Sequence, residues 1–191
     1  VKIIFRAAKG SPSGERVAEG LKPMQCGLGM PGGPAVVAAM ASLAWHSGWA
    51  VSKEDATNGF NALKRQALLD TVKQEWPEMT RLFNRFYGGT SPVMYVHRGD
   101  NGGDSLRIMW CREGTRMGCV FGSIGFNMTV HFHLYSLLAK EYPNVPACAL
   151  TDDMISALMV PRRGAAREDW EKFYDEYADR LRRYDELGRA I

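Results

Sequence analysis

Cysteine is scarce in this sequence and is not grouped. The 191 residues contain four cysteines, and no two of them form a C-x-x-C pair. A zinc ribbon needs closely spaced pairs, and a small secreted domain needs a dense set of disulfides, so neither class fits. The spacing predicts reduced thiols in an intracellular protein. The four residues are Cys26, Cys111, Cys119 and Cys148.

Long apolar runs and a strong excess of one charge are also missing. The most apolar segment, residues 35–45, is too short and too broken to cross a bilayer, so we expect no membrane span. The net charge is only +3, which permits a nucleic-acid partner without requiring one. Hydrophobic residues make up 46% of the chain, enough for one sizeable core.

The first half of the chain alternates between loops and short elements. Turn-forming glycine, serine and proline predict loops at residues 10–14 and 23–34. Small apolar residues predict a buried helix over 35–45. The remaining elements are predicted from hydrophobic patterning. They are strands Val1 to Phe5 and 49–54, and helices 61–74 and 78–87.

The second half of the chain predicts two hairpins, each followed by a helix. The first hairpin pairs 93–98 with 105–112 around an Asn-Gly turn, and a helix follows over 122–141. The second pairs 147–150 with 154–160. The helix predicted over 165–187 carries an aromatic stripe on one side. Its arginines, Arg180 among them, alternate with acids, which fits either a solvated face or an RNA contact. This mixture predicts an α+β fold.

Three carboxylates fall at predicted strand ends. Asp55 follows the strand over 49–54, and Asp152 and Asp153 form the tip of the second hairpin. Taken alone, Asp55 fits a helix N-cap and the Asp pair fits a solvated turn. Taken together, they suit a nucleotidyl transfer, which uses two divalent cations about 4 Å apart. Magnesium prefers oxygen ligands, so two or three Asp side chains suffice.

Segments around these carboxylates resemble the palm motifs of retroelement reverse transcriptases, in order and spacing. DATNGFN (55–61) is similar to the first motif, in which Asp is followed by Asn, a small residue, Phe and Asn. REGTRMG (112–118) is similar to the second, usually Glu-Gly-x-x-Gln-Gly-Asp-Pro, and LTDD (150–153) to the third, usually Tyr-Ala-Asp-Asp. KPMQCGLGMPGG (22–33) is similar to the Pro-x-Gln-x-Gly segment before the first motif. The resemblance covers residues 20–185.

The resemblance implies a fold and a division of the chain. The fold would be a reverse-transcriptase-like palm, with an antiparallel sheet packed on helices and a C-terminal amphipathic helix. Residues 1–44 would form a residual fingers-like segment, 45–164 the palm-like domain and 165–191 the C-terminal helix. The resemblance also implies that Asp55, Asp152 and Asp153 are catalytic and bind two Mg²⁺ ions.

Four further residues take implied roles in binding nucleotide and template. Phe60 would block a ribose 2′-hydroxyl and so favour deoxynucleotides, although a core aromatic explains it equally well. Gly114 and Gly118 would let the backbone approach the template strand and the incoming base. Arg116 would reach a phosphate, unless it is a solvated loop arginine.

Two functions are consistent with these residues. The first is RNA-directed DNA polymerisation on an RNA template and a DNA primer, in the nucleus or cytoplasm. The alternative is a catalytically retired fragment that serves as a structural or RNA-contacting subunit of a larger assembly, for example in an organelle. The departures from the motifs favour the alternative: Met117 replaces Gln, Cys119-Val120 replaces Asp-Pro, and Leu150 replaces an aromatic. The absence of a thumb after the palm also favours it.

Overall fold

The structure is a computed structural model that describes residues 10–28, 30–99, 102–116 and 119–191. The predicted strand Val1 to Phe5 lies outside the described residues, as do Met117 and Gly118. The described helices are α1 (Pro12–Gly20), α2 (Gly33–His46), α3 (Gly59–Ala62), α4 (Arg65–Glu75), α5 (Thr80–Tyr87), α6 (Val120–Val130), α7 (Ser136–Glu141) and α8 (Arg167–Ala190). The described strands are β1 (Ala50–Asp55), β2 (Ser91–Arg98), β3 (Asp104–Cys111), β4 (Ala147–Leu150) and β5 (Asp153–Leu158).

A small antiparallel sheet forms the centre of the fold. Its strands run in the order β1-β5-β4, and β1 pairs with β5 from Ala50–Leu158 to Asp55–Asp153. The segment before α2 extends the sheet beyond β4. There the Cys26 amide donates to the Ala149 carbonyl at 2.7 Å, next to an isolated bridge between Gln25 and Ala149. The predicted α+β fold, with an antiparallel sheet packed on helices and a C-terminal helix, is confirmed.

The two faces of this sheet differ in burial because side chains alternate along a strand. Ser52, Glu54, Met154 and Ser156 are all buried on one face. Met154 belongs to the hydrophobic core, together with side chains from α4, α5 and α6. Helices α4 and α6 pack so closely that a Cβ on Gly125 would lie 2.8 Å from side-chain atoms of Leu68 and Phe83. We call this side of the sheet the inner face and the opposite side, which carries Asp55, the open face.

Helix α8 is attached to the inner face by a buried ion pair. The guanidinium of Arg180 lies 2.7 Å from the Glu54 carboxylate and also donates to the Ser156 hydroxyl at 2.6 Å. That hydroxyl donates to the second oxygen of Glu54 at 2.8 Å. The side chains of Arg180 and Glu54 are only 2% and 3% exposed. Arg180 is therefore part of the interior, and both expectations for it, a solvated face and an RNA contact, are wrong.

The β2–β3 hairpin extends away from the core. It pairs from Ser91–Cys111 to Arg98–Asp104, and most of its side chains are exposed. Arg65 joins its base to the rest of the fold by donating to the carbonyls of Gly89 and Gly114. One side of the hairpin is entirely apolar between its first and last pairs. That side carries Pro92, Met94, Val96, Leu106, Ile108 and Trp110.

Two local predictions are wrong. The loop predicted over 10–14 contains the start of α1, because the Ser11 side chain accepts a hydrogen bond from the Gly14 amide and Pro12 occupies the first turn. The helix predicted over 35–45 is present as α2, but it is not buried. Leu43 and Trp45 are 71% and 69% exposed, because in the described part of the chain this helix packs mainly against the small sheet.

The buried ion pair gives a prediction for stability. Arg180→Ala should lower the free energy of unfolding by about 3–5 kcal/mol, because it leaves the Glu54 carboxylate buried without its partner. The matched control is Arg182→Ala, since Arg182 pairs with Asp179 on the exposed side of the same helix. That change should cost less than about 1 kcal/mol. Urea denaturation measures both. Equal losses for the two variants would contradict the account.

Candidate functional site

Asp55 and Asp153 lie opposite each other at one end of the central sheet. Asp55 ends β1, Asp153 begins β5, and the two are paired in the strand register. Facing residues of antiparallel strands have Cα atoms about 4.5–5.5 Å apart and side chains on the same face. Asp152 immediately precedes Asp153 in the hairpin turn. The structure thus pairs two of the residues that the sequence singles out, Asp55 and Asp153, and the third, Asp152, adjoins Asp153 in the chain.

The turn that carries Asp152 is held by a buried glutamine. The side-chain oxygen of Gln25 accepts from the amides of Thr151 and Gly27, at 2.9 and 3.0 Å. Its side-chain nitrogen donates to the Thr151 carbonyl at 3.1 Å. Gln25 is fully buried. It lies in the segment similar to Pro-x-Gln-x-Gly, but the sequence analysis assigns it no role.

A buried tyrosine holds the same turn from the side of the helices. The Tyr135 hydroxyl donates to the carbonyls of Thr151 and Asp152, at 3.0 and 3.2 Å. Burial raises the pKa of this phenol, so it remains a donor. Tyr135 lies in a π-helical segment, His131–Tyr135, which joins α6 to α7. The sequence carries no signal for this contact, because Tyr135 is far from the turn along the chain.

Thr151 adopts a left-handed conformation in this turn, with a φ of 65°. Such a φ is rare for a β-branched residue and costs about 1–3 kcal/mol. The backbone of Thr151 also approaches Gly27 closely, where a Cβ would lie 2.7 Å from the Thr151 amide nitrogen. The bonds from Gln25 and Tyr135 keep the turn in this conformation and so fix the position of the acidic pair.

Lys53 forms an ion pair with one of the three carboxylates, that of Asp153. Its ammonium lies 2.8 Å from the Asp153 carboxylate, and the two side chains are 56% and 37% exposed. The hydrogen bond with Asp153 raises the pKa of Lys53, and the charges of Asp153, Asp55 and Asp152 add to this. Within the described part of the chain, no group of three His, Cys, Asp or Glu side chains is arranged to hold a metal ion. The carboxylates therefore form a cation-attracting end of the sheet, not a complete metal cage.

These donors nevertheless fit a magnesium ion. Mg²⁺ keeps several waters and is usually bound by one or two carboxylates together with phosphates of the substrate. Asp55 and Asp153 supply two such carboxylates from facing positions, and Asp152 is next to them. In the described structure the Asp153 carboxylate is paired with the Lys53 ammonium.

Phe60 follows Asp55 on the short helix α3 and is only partly buried. Its ring stacks on Phe126, with ring centres 4.2 Å apart and an angle of 13° between the planes. The Phe60 carbonyl accepts from the Thr115 amide at 2.6 Å, which joins the first motif to the second. Phe60 thus packs against the core through Phe126. Its predicted role against a ribose 2′-hydroxyl stays a prediction.

Gly114 is needed where the first and second motifs meet. Its φ is +77°, and a Cβ there would lie 2.5 Å from the Asn61 carbonyl oxygen. Its amide donates to the Leu63 carbonyl at 2.8 Å. The close approach that Gly114 permits here is to the protein backbone, and its contact with a template stays a prediction. Arg116 is exposed, and Gly118 lies outside the described residues.

Two side chains support the second motif: Glu113, which belongs to the motif, and Arg65, for which the sequence predicts no role. The Glu113 carboxylate accepts from the Arg65 amide at 3.1 Å and so caps the start of α4. The Arg65 side chain is buried and donates to the Gly114 carbonyl at 3.0 Å. Its guanidinium also lies 5.8 Å from the centre of the Tyr87 ring. These contacts fix the second motif beside α3, the helix that follows Asp55.

A cavity of about 370 Å³ opens beside Asp55, between α3 and the end of α8. Its walls include Phe126 and Tyr184. Burial is the main cause that raises the pKa of Tyr184 to about 12, and the carboxylates of Glu54, Asp55 and Asp152 add to it. Asp55 therefore borders open space from which a ligand can approach.

The arrangement defines a reverse-transcriptase-like fold. The chain is similar to the structure of apo telomerase from Candida tropicalis truncated from the C-terminal domain, at 12% identity and a TM-score of 0.51. It is also similar to telomerase from Candida albicans in complex with a TWJ fragment of telomeric RNA, at 12% identity and a TM-score of 0.53. The matches cover 95% and 93% of this chain, but only 39% and 34% of the telomerase chains. At this identity the likeness shows the fold alone.

Two further comparisons found no match. No family profile matches the sequence, and no curated protein matches it. The relation to retroelement enzymes in particular therefore stays a prediction. Among the helices of the described residues, none is long and apolar enough to cross a membrane, as expected.

The contacts of Gln25 give a prediction for the acidic turn. Gln25→Ala should lower the free energy of unfolding by about 2–3 kcal/mol, because the Thr151 amide is left buried without an acceptor. Hydrogen exchange at the Thr151 amide should become faster by the factor that corresponds to this loss of free energy. Gln66→Ala is the control, since the Gln66 side chain donates to Asp70 on an exposed surface. Unchanged protection at Thr151 in Gln25→Ala would contradict the contact.

Proposed function

We propose that this chain is the palm of a reverse-transcriptase-like polymerase that adds deoxynucleotides to a primer on an RNA template. The observation that carries the proposal is the pairing of Asp55 with Asp153 beside the acidic turn, within a fold shared with two telomerases. The TWJ fragment of telomeric RNA in the Candida albicans structure supports an RNA partner, and its use as a template is part of the proposal. The chain spans little more than a third of either telomerase, so primer binding and the full activity are proposals too.

In this proposal the three carboxylates hold two Mg²⁺ ions. When bound, such ions activate the primer hydroxyl and stabilise the leaving pyrophosphate. Asp55 and Asp153 provide ligands from facing strands, and Asp152 provides a third from the turn. Gln25 and Tyr135 keep that turn in place. Rigid placement on paired strands is what positioning of the reacting groups requires.

The proposed substrate is a deoxynucleotide because of Phe60. Its ring is fixed by the stack on Phe126, so it cannot move aside easily for an additional hydroxyl group. Gly114, Gly118 and Arg116 would contact the template and the nucleotide phosphates. Residues 45–164 would be the palm, 1–44 a fingers-like segment and 165–191 a helix attached beneath the palm. The protein would act in the nucleus or cytoplasm.

A second function is favoured by exposed apolar surface. Leu43 and Trp45 on α2, and Leu106 and Trp110 on the β3 strand, are all more than 60% exposed. Apolar surface of this extent is usually covered by a partner. In this alternative the chain is a retired reverse-transcriptase fragment and serves as a structural or RNA-contacting subunit of a larger assembly, such as an organellar complex.

Primer extension tests the first function. The full-length protein with Mg²⁺, deoxynucleotides and a primed RNA template should give extended product. Asp152→Asn should lower the rate below about a thousandth of wild type, because a metal ligand is lost. Asp175→Asn, an exposed change on α8, is the control and should leave the rate unchanged.

The outcomes separate the two functions. No extension by the wild-type protein on any primed template would contradict the polymerase. Co-purification with a large complex at fixed stoichiometry would then support the subunit role, and a free monomer without a partner would contradict it.

A further inference from the structure

Lys53 occupies a particular position relative to the three carboxylates. It lies two residues before Asp55 on β1, so both side chains are on the open face of the sheet. Its Cα partner across the strands is Ile155, which puts Asp153 at a diagonal position on the same face. The Lys53 ammonium reaches across this diagonal to the Asp153 carboxylate at 2.8 Å. The contact is therefore made between neighbouring strands and does not depend on a flexible loop.

The other charged groups near Lys53 do not compete for it. Glu54 points to the inner face, where Arg180 and Ser156 bind both of its carboxylate oxygens. The charges of Asp55 and Asp152 act on the ammonium as well, but the hydrogen bond is to Asp153. Among the described residues, the Lys53 ammonium thus experiences the charges of all three carboxylates that the proposal assigns to metal binding. The contact with Lys53 also gives a reason why the described carboxylates form no group of three metal ligands, since the Asp153 carboxylate is turned toward Lys53.

We propose that Lys53 is a built-in competitor of divalent cations, which occupies Asp153 in the free protein and moves away when a metal ion binds. The inference rests on the proposed function and concerns the same site. Lysine suits this role because its ammonium is a compact charge with three donors on a flexible four-carbon stem. The ion pair between Lys53 and Asp153 is about half exposed, so replacing it with contacts to water and a metal ion costs little free energy. Metal binding then depends on the substrate, whose phosphates bring further oxygen ligands and give the released ammonium a new partner.

Metal affinity measured without substrate tests the proposal. Mn²⁺ serves as the probe, and its binding to the full-length protein is followed by electron paramagnetic resonance. Lys53→Met keeps the length of the side chain and removes its charge, so Mn²⁺ should bind about three- to tenfold more tightly than to wild type. Lys53→Arg keeps the charge and should stay close to wild type. Lys73→Met, on the exposed side of α4, is the matched control and should not change the affinity.

The effect should also depend on the carboxylate that Lys53 contacts. Asp153→Asn removes a proposed ligand and should itself weaken Mn²⁺ binding, so the effect of Lys53→Met is measured as a ratio of dissociation constants within each background. In the Asp153→Asn background this ratio should be close to one, because the competition at Asp153 no longer exists. Thermal melting of each variant shows whether it is folded, and an exposed lysine should tolerate both changes. A gain for Lys53→Met that disappears in the double variant supports the proposal.

Failure of this inference and failure of the proposed function look different. In one outcome Asp55→Asn weakens Mn²⁺ binding, but the Lys53→Met variant binds Mn²⁺ no more tightly than wild type. The metal site then stands and the competitor role of Lys53 is overturned. An equal gain for Lys73→Met overturns it too, because any lost lysine would then have the same effect. If neither wild type nor any variant binds Mn²⁺, the metal site itself is wrong and the inference is overturned with it.

Discussion

Strand β1 pairs with β5 in a register that puts Asp55 opposite Asp153, and the buried pair of Arg180 with Glu54 fixes that register. A slip of one residue would turn every side chain of β1 to the other face of the sheet. Glu54 would then leave Arg180, and Asp55 would enter the hydrophobic core. Because the carboxylate of Glu54 cannot be buried alone without a large cost, the inner face determines what the open face displays.

The turn between β4 and β5 meets a second constraint. Thr151 has a conformation that a β-branched residue seldom adopts, so the turn needs support from outside the hairpin. Gln25 and Tyr135 provide it from two segments that are distant in sequence. The position of Asp152 is therefore set by the segment before α2 and by the π-helical turn, as well as by the hairpin itself. The backbone of the acidic turn is therefore tied to the core by hydrogen bonds, while its side chains stay partly exposed.

Much of this architecture could be predicted from local patterns. Alternation and the Asn-Gly turn predict the hairpin over 93–112, and the aromatic stripe predicts α8. The three Asp residues and Phe60 could be singled out because a resemblance orders them along the chain. The helix over 35–45 could be predicted, but not its exposure, since composition does not reveal which surfaces a neighbour covers. The start of α1 is not predicted, because glycine and proline in residues 10–14 favour a loop more strongly than the Ser11 cap favours a helix.

The remaining site residues could not be predicted, since their roles arise from contacts across the chain. Arg180 is one of several arginines in α8, and only the register of the sheet makes it the partner of Glu54. Gln25 contacts a turn more than a hundred residues later, and Arg65 contacts a motif almost fifty residues later. Lys53 is an ordinary exposed lysine until β5 puts Asp153 within its reach.

The central claim is that Asp55 and Asp153 together form a divalent-cation site. A crystal structure of the protein with Mn²⁺ and a deoxynucleotide, with data collected at a wavelength where manganese scatters anomalously, tests it most directly. The account predicts an anomalous peak within ligand distance of both carboxylates, about 2.2 Å from the nearest oxygens, with Lys53 displaced from Asp153. A well-ordered site without a peak there, with Lys53 still bound to Asp153, would contradict it.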